Sequence, residues 1–268
     1  MAGEERGRGE SEQVSETAAK HGATLGGLDS RGAIVTGGAN GIGAAIARRL
    51  TDAGVRVVVL DVEDAEDIET LTVDLADPAA VIAAAESAVA RLGQADILVN
   101  CAGISSAARL TELDMAAYHR VLAVNLHAPV LLMRTLGGPM RAAGYGRVVN
   151  VTSIHGRLSE PGSLAYDVSK AGLEAATRTA AIELADAGVL VNAIAPGFVS
   201  TRMSVVNGIN ELESEWFTTG YVRDGRLPIG RAAAAAEIAD AALWLASGSN
   251  TYITGQVITV DGGLSARF

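Results

Sequence analysis

The sequence predicts an α/β fold in which a parallel sheet is flanked by helices. Short apolar runs that suit buried strands alternate along the chain with longer helical runs. A glycine-rich turn joins the first strand to the first helix, and polar residues follow several later strands at the ends where parallel sheets bind ligands. The length of 268 residues suits one large domain of this kind.

The composition limits the classes of partner. Hydrophobic residues make up 49% of the chain and charged residues 19%, as in a packed globular protein. The net charge of -10 argues against a nucleic-acid-binding surface. Cys101 is the only cysteine, so an intrachain disulfide is impossible and we expect a reducing, cytoplasmic setting. The apolar stretch 232–246 is interrupted by Glu237 and Asp240, so we expect no membrane-spanning helix.

The first 28 residues differ from the rest of the chain. They mix glutamates with basic residues, glycines and serines and lack an apolar core, which predicts a disordered tail over residues 1–28. They also lack the apolar segment of a secretory signal. A single domain is expected over residues 29–268.

The first strand, residues 33–36, leads into a turn that suits a dinucleotide. Glycines allow a tight turn and close backbone approach, so a pyrophosphate can sit on the free N–H groups of the helix that runs from residue 44 to about residue 53. The spacing differs from Gly-x-Gly-x-x-Gly, so an ordinary loop is the alternative. The candidate cofactor residues of this turn are Gly37, Asn40, Gly41, Ile42 and Gly43.

The second strand, residues 55–60, ends in Asp61, which lies 18 residues beyond Gly43. A carboxylate at this point can accept hydrogen bonds from both adenosine ribose hydroxyls and repels a 2′-phosphate. No Arg or Lys stands among residues 38–42 or directly after Asp61. The pattern therefore favours NAD over NADP, and a turn or helix-cap role for Asp61 is the alternative.

The connection that follows Asp61 is short. It leaves room for only a brief turn before the third strand, residues 69–73, whereas a crossover helix would need about a dozen residues. Asp74 follows that strand and is placed to accept a hydrogen bond from the adenine amino group. Asp77 is expected to cap a helix over Pro78–Leu92, with the proline at its first position.

The fourth strand, residues 96–100, ends in Asn100 and opens into Cys101, Ala102 and Gly103. Small residues here let the chain pass close to a ribose. Cys101 has no neighbouring base or cation in the sequence, which favours a packing role over a nucleophilic one.

Two polar positions stand out in the middle of the chain. Asn125 lies within a long helix capped by Asp114, and we expect its side chain to bond to backbone or water where the helix bends. The fifth strand, residues 147–151, is followed by Ser153, which lies 13 residues before Tyr166. His155 in the same loop is either a substrate contact or simply solvated.

Tyr166 and Lys170 lie four residues apart in a predicted helix from residue 164 to about residue 185, so they share one face. A phenol has a pKa near about 10, and a nearby ammonium favours the phenolate, which moves the tyrosine toward general acid/base chemistry. An exposed helix turn is the alternative for this pair taken alone. The small residues of this helix also allow close packing against a partner subunit.

The remaining chain completes the sheet. The sixth strand, residues 189–195, runs into the turn that carries Pro196, Gly197, Val199 and Thr201, which the family resemblance described below assigns to the cofactor. Residues 202–229 show little apolar periodicity, and we expect them to form a substrate lid. The aromatic residues of this segment are Trp216, Phe217 and Tyr221. The last helix is predicted over residues 233–246 and the seventh strand over residues 256–260.

Together these motifs resemble the classical short-chain dehydrogenase/reductase family over essentially all of residues 30–264. Residues 36–43 match its cofactor loop, and residues 100–103 look like its Asn-Asn-Ala-Gly element with Cys101 in place of the second Asn. The Pro-Gly pair at 196–197 and Thr201 match its nicotinamide-side segment. The residues in its catalytic order are Asn125, Ser153, Tyr166 and Lys170. The resemblance implies a single Rossmann-like doubly wound domain with a seven-stranded parallel sheet of order 3-2-1-4-5-6-7.

The resemblance also implies a role for each catalytic residue. Tyr166 exchanges a proton with the substrate oxygen, and Ser153 hydrogen-bonds the same oxygen. Lys170 bonds the nicotinamide ribose hydroxyls and lowers the pKa of Tyr166. Asn125 holds a water that relays the proton from Lys170 to solvent. The hydride transfer belongs to the cofactor, and the protein supplies orientation and charge.

These observations predict an NAD-dependent oxidoreductase that interconverts a secondary alcohol and a ketone on a small polar substrate such as a sugar, polyol or hydroxy acid. The polar preference rests on His155, Arg157 and Glu160 near the active-site loop. A 3-oxoacyl-thioester reductase is the enzymatic alternative, against which Asp61 counts, and a non-catalytic dinucleotide-sensing protein is the alternative of another class. We expect a homotetramer, otherwise a homodimer, and no metal, nucleic-acid or membrane partner.

Overall fold

Helices pack on both faces of a parallel sheet in this fold. The computed structural model describes residues 25–206 and 208–266, and within them seven strands form that sheet. The strands are β1 (Gly32–Thr36), β2 (Arg56–Asp61), β3 (Thr70–Thr72), β4 (Ile97–Asn100), β5 (Gly146–Val151), β6 (Val189–Pro196) and β7 (Val257–Val260). The long helices are α1 (Gly41–Asp52), α2 (Pro78–Leu92), α3 (Met115–Ala143), α4 (Leu164–Leu184) and α5 (Ala235–Ala246).

The strand order across the sheet is β3-β2-β1-β4-β5-β6-β7, which confirms the predicted doubly wound arrangement. β1 pairs with β2 on one side and with β4 on the other, so the chain connections diverge at β1. Thr36 at the end of β1 is level with Leu60 and Asn100. A crevice therefore opens beyond the carboxyl ends of β1 and β4, where sheets of this kind bind ligands.

Two apolar clusters cover the two faces of the sheet. Successive side chains of a strand point to opposite faces, so Ile34 packs in the cluster with α2 and α3, whereas Val35 packs in the cluster with α1 and α5. Both side chains are fully buried. Strands that are covered on both faces appear in a sequence as continuous apolar runs, which is why these strands were recognisable.

Helix α3 is long and apolar enough to cross a membrane by length and composition, and it is the one described helix that is. The expectation of no membrane-spanning helix was based on residues 232–246 and did not take this helix into account. Half of its most apolar window is buried inside the protein, and the core helix of an α/β fold passes the same test. Leu132, Leu136 and Met140 of this helix belong to the apolar cluster on one face of the sheet.

The packed domain begins before residue 29. Leu28 is 1% exposed and lies in the apolar cluster with α1 and α5. The carbonyl of Gly26 accepts a hydrogen bond from the N–H of Gly248 at 2.9 Å. The predicted tail boundary at residue 28 is therefore too late, because residues 26–28 pack against the loop after α5. Residues 1–24 of the predicted tail lie outside the described residues.

Several element ends differ from the prediction by a few residues. Helix α1 begins at Gly41 rather than at residue 44, so the last two glycines of the turn lie in its first turn. Strand β3 has three residues, and the fully described connection from β2 to β3 contains no helix, as predicted. The Oδ1 atom of Asp77 accepts hydrogen bonds from the N–H groups of Ala79 and Ala80 at 2.9 and 3.2 Å, which confirms the predicted cap of α2.

Candidate active site

Tyr166 and Lys170 lie on one face of α4, near its amino end. Lys170 is 3% exposed, and its Nζ atom donates a hydrogen bond to the carbonyl of Val151 at the end of β5, at 2.9 Å. The same Nζ atom lies 5.4 Å from the centre of the Tyr166 ring. The four-residue spacing therefore brings the ammonium next to the phenol, as the helix geometry predicts.

Ser153 follows β5 and faces the same space as Tyr166. Its side chain is buried, and its Oγ atom accepts a hydrogen bond from the N–H of His155 at 3.2 Å. That bond uses a lone pair of Oγ and leaves the hydroxyl proton to be donated to a substrate oxygen. The Ser153 hydroxyl also interacts with the phenol of Tyr166.

Asn125 occupies a wide turn within α3, over Ala123–His127, where the helix changes to the i to i+5 pattern. Its Oδ1 atom accepts a hydrogen bond from the N–H of Ile104 at 2.9 Å. Its Nδ2 atom donates to the carbonyl of Ile104 at 2.8 Å and to Oγ of Ser169 at 3.1 Å. The predicted bonding to backbone at a helix irregularity is confirmed, and it ties α3 to α4 and to the segment after β4.

Gly103 lies between the two groups that the predicted proton relay would join. A Cβ atom built on Gly103 would lie 3.5 Å from Nζ of Lys170 and 3.7 Å from Oδ1 of Asn125. Both side chains therefore border the same small space beside the segment that leaves β4. The water that Asn125 would hold there stays a prediction.

Burial dominates the acid/base properties of the pair. It raises the pKa of Tyr166 to about 12, against the lowering effect of the Ser153 hydroxyl, and the nearby Cys101 and Asp167 raise that pKa further. Burial also lowers the pKa of Lys170 to about 8. The direction for Tyr166 is opposite to the one expected from its lysine neighbour, because loss of hydration destabilises a buried phenolate. With these protein groups alone, the phenol stays protonated at neutral pH.

The turn after β1 is shaped for close approach of the backbone to a ligand. Gly37 has a φ of 69°, and a Cβ atom on it would lie 2.6 Å from Cα of Ala102. A Cβ atom on Gly43 would collide with the carbonyl oxygen of Gly37. Asn40 precedes α1 but does not cap it with its side chain, so the first N–H groups of α1 keep no side-chain acceptor from this residue. They suit a phosphate group.

Asp61 ends β2 beside this turn. Its Oδ2 atom accepts a hydrogen bond from the N–H of Ala39 at 2.9 Å, and its Oδ1 atom accepts from the N–H groups of Val62 and Glu63 at 2.7 and 3.2 Å. Three backbone donors thus fix the carboxylate where the sequence predicts the adenosine ribose. Oδ1 therefore uses both of its lone-pair sites, and Oδ2 keeps one for a further donor.

Two predicted cofactor residues have protein partners. Asp74 forms an ion pair with Arg120 at 3.2 Å, and its pKa is lowered first by a backbone hydrogen bond from Ala76 and also by Arg120. Asn100 is buried, and its Nδ2 atom donates to Oδ1 of Asn150 on β5 at 2.8 Å. The Oδ1 atom of Asn100 has no partner among the described residues. The Asn100 side chain therefore pairs neighbouring strands, and Asp74 would have to bond adenine while held by Arg120.

The segment after β4 is fixed to the end of β1. The N–H groups of Cys101 and Ala102 both donate to Oγ1 of Thr36, at 3.0 and 3.1 Å. Burial raises the pKa of the Cys101 thiol to about 12. The thiol is therefore neutral at physiological pH, which agrees with the packing role that the sequence favours.

The segment after β6 reaches the glycine turn from the other side. A Cβ atom on Gly197 would lie 2.8 Å from Cβ of Asp261, so the close packing there requires glycine. Val199–Ser200 pairs in parallel with Ala233–Ala234. A Cβ atom on Gly41 would lie 3.3 Å from Cγ2 of Thr201, which places Thr201 over the turn. The predicted nicotinamide-side residues thus lie beside the predicted phosphate cradle, and their contact with a cofactor stays a prediction.

His155 is held by a buried carboxylate. Its Nδ1 atom lies 2.6 Å from Oδ1 of Asp167, and its ring meets the Tyr166 ring edge-on with centres 5.5 Å apart. Its Nε2 atom lies 3.9 Å from a carboxylate oxygen of Glu160. The alternative of a simply solvated loop histidine does not fit, because one ring nitrogen has a fixed partner inside the protein.

Known proteins match this chain over most of its length. A family model described as Enoyl-(Acyl carrier protein) reductase matches residues 37–265, which include the glycine turn and all four catalytic candidates. The cis-4-hydroxycyclohexanecarboxylate dehydrogenase of Sinomonas cyclohexanicum is 38% identical over 249 residues, which cover 88% of this chain and 97% of that protein. The chain belongs to the classical short-chain dehydrogenase/reductase family. It is therefore an oxidoreductase that acts on CH–OH groups.

Two further members of the short-chain dehydrogenase/reductase family extend the comparison. The galactitol 2-dehydrogenase (L-tagatose-forming) of Cereibacter sphaeroides is 36% identical over 250 residues, covering 88% of this chain and 95% of that one. A solved gluconate 5-dehydrogenase from Burkholderia cenocepacia, in complex with NADP and tartrate, superposes with a TM-score of 0.82 at 29% identity, covering 90% of this chain and 98% of that one. The superposition confirms the Rossmann-like fold predicted from the motifs.

The residues of this short-chain dehydrogenase/reductase fit a nicotinamide dinucleotide. The glycine turn leaves no room for a Cβ atom at Gly37 or Gly43, and the start of α1 offers N–H groups for a pyrophosphate. Asp61 stands fixed beside that turn. Over the described part of the chain, no three His, Cys, Asp or Glu side chains come together as a metal site.

The predicted lid covers residues 202–206 and 208–229 of the described chain. Val205–Val206 pairs with Ile209–Asn210 in a short antiparallel ladder. Phe217 is 4% exposed and stacks edge-on against Phe198, with ring centres 5.0 Å apart, which anchors the segment to the turn after β6. Trp216 is 49% exposed on the outside of the same aromatic cluster. Movement of this segment over a substrate stays a prediction.

Sequence reasoning missed two groups near the site. Asp167 stands next to Tyr166, and only its burial and its bond to His155 show that it orients a neighbour. No Arg or Lys directly follows Asp61 in the sequence, but the fold brings Arg202 to Glu63 from 139 residues away, with an Nη1 to Oε2 distance of 3.0 Å. The available signal was that Arg202 directly follows Thr201, a residue already assigned to the cofactor crevice.

Proposed function

We propose that this chain is an NAD-dependent dehydrogenase that interconverts the secondary alcohol and ketone forms of a small polar substrate. One observation carries the proposal: the Tyr166 phenol interacts with the Ser153 hydroxyl, and the Lys170 ammonium lies beside both the phenol and the segment after β4, which packs against the glycine turn. Two hydroxyl donors directed at one space suit an alcohol or carbonyl oxygen, and a cation behind the phenol suits proton transfer.

In this mechanism Tyr166 accepts the proton of the substrate hydroxyl during oxidation and returns it during reduction. Ser153 donates a hydrogen bond to the same oxygen and holds it in place. Lys170 places a positive charge 5.4 Å from the centre of the phenol ring, which favours the phenolate. A bound NAD supplies the hydride acceptor and, in its oxidised form, a further positive charge. Each unit by which the pKa of Tyr166 falls represents about 1.4 kcal/mol of phenolate stabilisation.

The preference for NAD rests on Asp61. Its carboxylate is fixed by the N–H groups of Ala39, Val62 and Glu63, so it stays where a 2′-phosphate would be repelled. We expect Asp61→Ala to narrow the ratio of kcat/KM for NAD over NADP by roughly tenfold, the effect of about 1.4 kcal/mol. Steady-state kinetics with both cofactors measure this ratio. An unchanged ratio would refute the role of Asp61.

The polar substrate preference rests on groups around Ser153. His155, held by Asp167, presents Nε2 as a hydrogen-bonding group for a second substrate oxygen. Arg157 is a weaker candidate than the sequence suggested, because its Nε atom pairs with the buried Glu174 at 3.2 Å. Two similar proteins are named for a hydroxycyclohexanecarboxylate and for galactitol, and both compounds carry further oxygen groups beside the reacting alcohol.

A 3-oxoacyl-thioester reductase is the second candidate. Two similar proteins named 3-oxoacyl-[acyl-carrier-protein] reductase favour it, one from Rickettsia bellii at 34% identity and one from Chlamydia muridarum at 33% identity. Asp61 counts against it, because the resemblance associates such reductases with NADP.

A substrate panel separates these candidates. Alcohols, sugars, polyols, hydroxy acids and a 3-oxoacyl thioester are each tested with NAD or NADP, in the oxidised or reduced form that the reaction needs, and turnover is followed by the absorbance of the reduced nicotinamide. We expect turnover of a polar secondary alcohol with NAD. Turnover of the thioester with NADPH alone would favour the reductase. Binding of NADH without turnover of any compound would favour a dinucleotide-sensing protein.

We also propose a cytoplasmic homotetramer, otherwise a homodimer, with α4 at a subunit contact. Val168 and Ile182 of this helix are 38% and 81% exposed, and Ala171 and Ala175 are exposed beside them. Small and apolar side chains on an exposed helix face allow close approach of a partner helix.

A further inference from the structure

An ion pair joins two walls of the proposed cofactor crevice. Glu63 lies two residues after Asp61, in the connection from β2 to β3. Arg202 follows Thr201 in the segment after β6. Its Nη1 and Nη2 atoms donate to Oε2 and Oε1 of Glu63 at 3.0 and 3.2 Å, which is a two-point contact between a guanidinium and a carboxylate.

A second donor completes the surroundings of the Glu63 carboxylate. The Nδ2 atom of Asn40, in the glycine turn, donates to Oε2 of Glu63 at 2.8 Å. The Glu63 carboxylate thus accepts hydrogen bonds from the Arg202 guanidinium on one wall and from the Asn40 amide on the other. Guanidinium and amide donors arranged in this way also bind phosphate groups, because phosphate offers the same paired oxygen acceptors.

The cluster lies directly beside Asp61. The N–H of Glu63 donates to Oδ1 of Asp61 at 3.2 Å. The pKa of Arg202 is raised first by its hydrogen bond to Glu63 and to a smaller extent by the charge of Asp61. The guanidinium therefore stands close to the carboxylate that the proposed function assigns to the adenosine ribose.

We propose that Glu63 is a second determinant of cofactor choice, because its carboxylate occupies the Asn40 and Arg202 donors that would otherwise bind the 2′-phosphate of NADP. This inference rests on the proposed function, which places the adenosine ribose at Asp61. Asp61 repels the 2′-phosphate by charge, whereas Glu63 pairs with Arg202 and so keeps this cation from binding the phosphate. Both effects favour NAD.

The ion pair between Arg202 and Glu63 is exposed to solvent, so a phosphate can compete with Glu63 for Arg202. The side chains of Arg202 and Glu63 are 66% and 48% exposed. Exposed ion pairs contribute little to stability and exchange partners readily. We therefore expect variants at these positions to fold, and we expect removal of Glu63 to free Arg202 and Asn40 for another anion.

Binding of two adenosine nucleotides tests the proposal without turnover. Isothermal titration calorimetry compares adenosine 2′,5′-bisphosphate with adenosine 5′-monophosphate on the wild type and on Glu63→Ala. We expect Glu63→Ala to bind the 2′,5′-bisphosphate about tenfold more tightly, the scale of a charge-assisted contact, while affinity for the 5′-monophosphate changes by less than about twofold.

Glu66→Ala is the matched control. It removes one negative charge from the same connection, but Glu66 pairs with Arg48 at 3.5 Å and not with Arg202. We expect no selective gain from this variant. Adding Arg202→Gln to Glu63→Ala should cancel the gain of the single variant.

The outcomes separate this inference from the proposed function. If the wild type binds the 5′-monophosphate but Glu63→Ala gains nothing for the 2′,5′-bisphosphate, the role of Glu63 is wrong and the dinucleotide site stands. An equal gain in Glu66→Ala, or a gain that survives Arg202→Gln, also overturns the role of Glu63. A wild type that binds neither nucleotide overturns the dinucleotide site, and this inference with it.

Discussion

Lys170 is a buried cation whose Nζ atom bonds to the carbonyl of Val151 rather than to a carboxylate. Its spacing from Tyr166 predicted that the two groups would be neighbours, and they are. The spacing predicted a lowered pKa for Tyr166, and this direction was wrong, because burial of the phenol outweighs the nearby ammonium. A sequence pattern can predict that two side chains are neighbours. How far burial shifts their pKa values depends on the packing of the whole fold.

The pH dependence of stability tests the burial of Lys170. The pKa of this amine is about 8 in the folded chain against 10.5 for the ordinary side chain. Between these values the unfolded chain binds more protons, so the free energy of unfolding contributed by this group rises with pH. We expect the free energy of unfolding of the wild type to rise by about 2 kcal/mol relative to that of Lys170→Met between pH 7.5 and pH 10. Urea denaturation at both pH values measures the difference. An equal change in the free energy of unfolding of the two proteins between these pH values would contradict the lowered pKa of Lys170.

The helices and strands could be predicted from the sequence wherever neighbouring residues determine them. Asp77 and Pro78 marked the start of α2, and continuous apolar runs marked the strands. The wide turn that carries Asn125 was foreseen only as an irregularity, since its geometry depends on the backbone of Ile104 and the hydroxyl of Ser169. These partners lie in other elements of the fold, so the sequence around Asn125 could not predict them.

The cap of α2 offers a prediction at the scale of one element. Asp77→Ala removes the acceptor for the N–H groups of Ala79 and Ala80, and we expect it to lower the free energy of unfolding by about 1 kcal/mol. Asp77→Asn keeps a side-chain acceptor and should lose only a small part of that. Denaturant titrations of both variants measure the loss. Equal losses would show that the side-chain oxygen does not cap the helix.

The topology of the whole molecule could be predicted because the order of motifs and the buried strands agree on one arrangement. Contacts between segments that are distant in the sequence could not be predicted in this way. The pair of Arg202 and Glu63 joins residues 139 positions apart, and no local pattern links them. The candidate catalytic residues were found from their order in the family, whereas the surroundings that tune them, such as Asp167 beneath His155, required the fold.

The proposed assembly is tested at the exposed face of α4. Ile182 is 81% exposed, and burying a charge at that position in a helix contact is unfavourable. We expect Ile182→Glu to lower the assembly state in sedimentation velocity by at least one step. Val206→Glu, at a 45% exposed site in the lid segment, serves as the control and should leave assembly unchanged. Wild-type sedimentation as a monomer would contradict the proposed contact.

Proton transfer by Tyr166 beside a bound dinucleotide is the central step of the proposed function. The direct measurement pairs kcat on the identified substrate with NADH affinity, determined by fluorescence titration, for the wild type and Tyr166→Phe. We expect Tyr166→Phe to lower kcat by about 10²-fold to 10⁴-fold, because the general acid/base is lost, while the Kd for NADH stays within about a few-fold of the wild-type value. A Tyr166→Phe enzyme that keeps kcat within about a few-fold of the wild type would contradict this role of Tyr166.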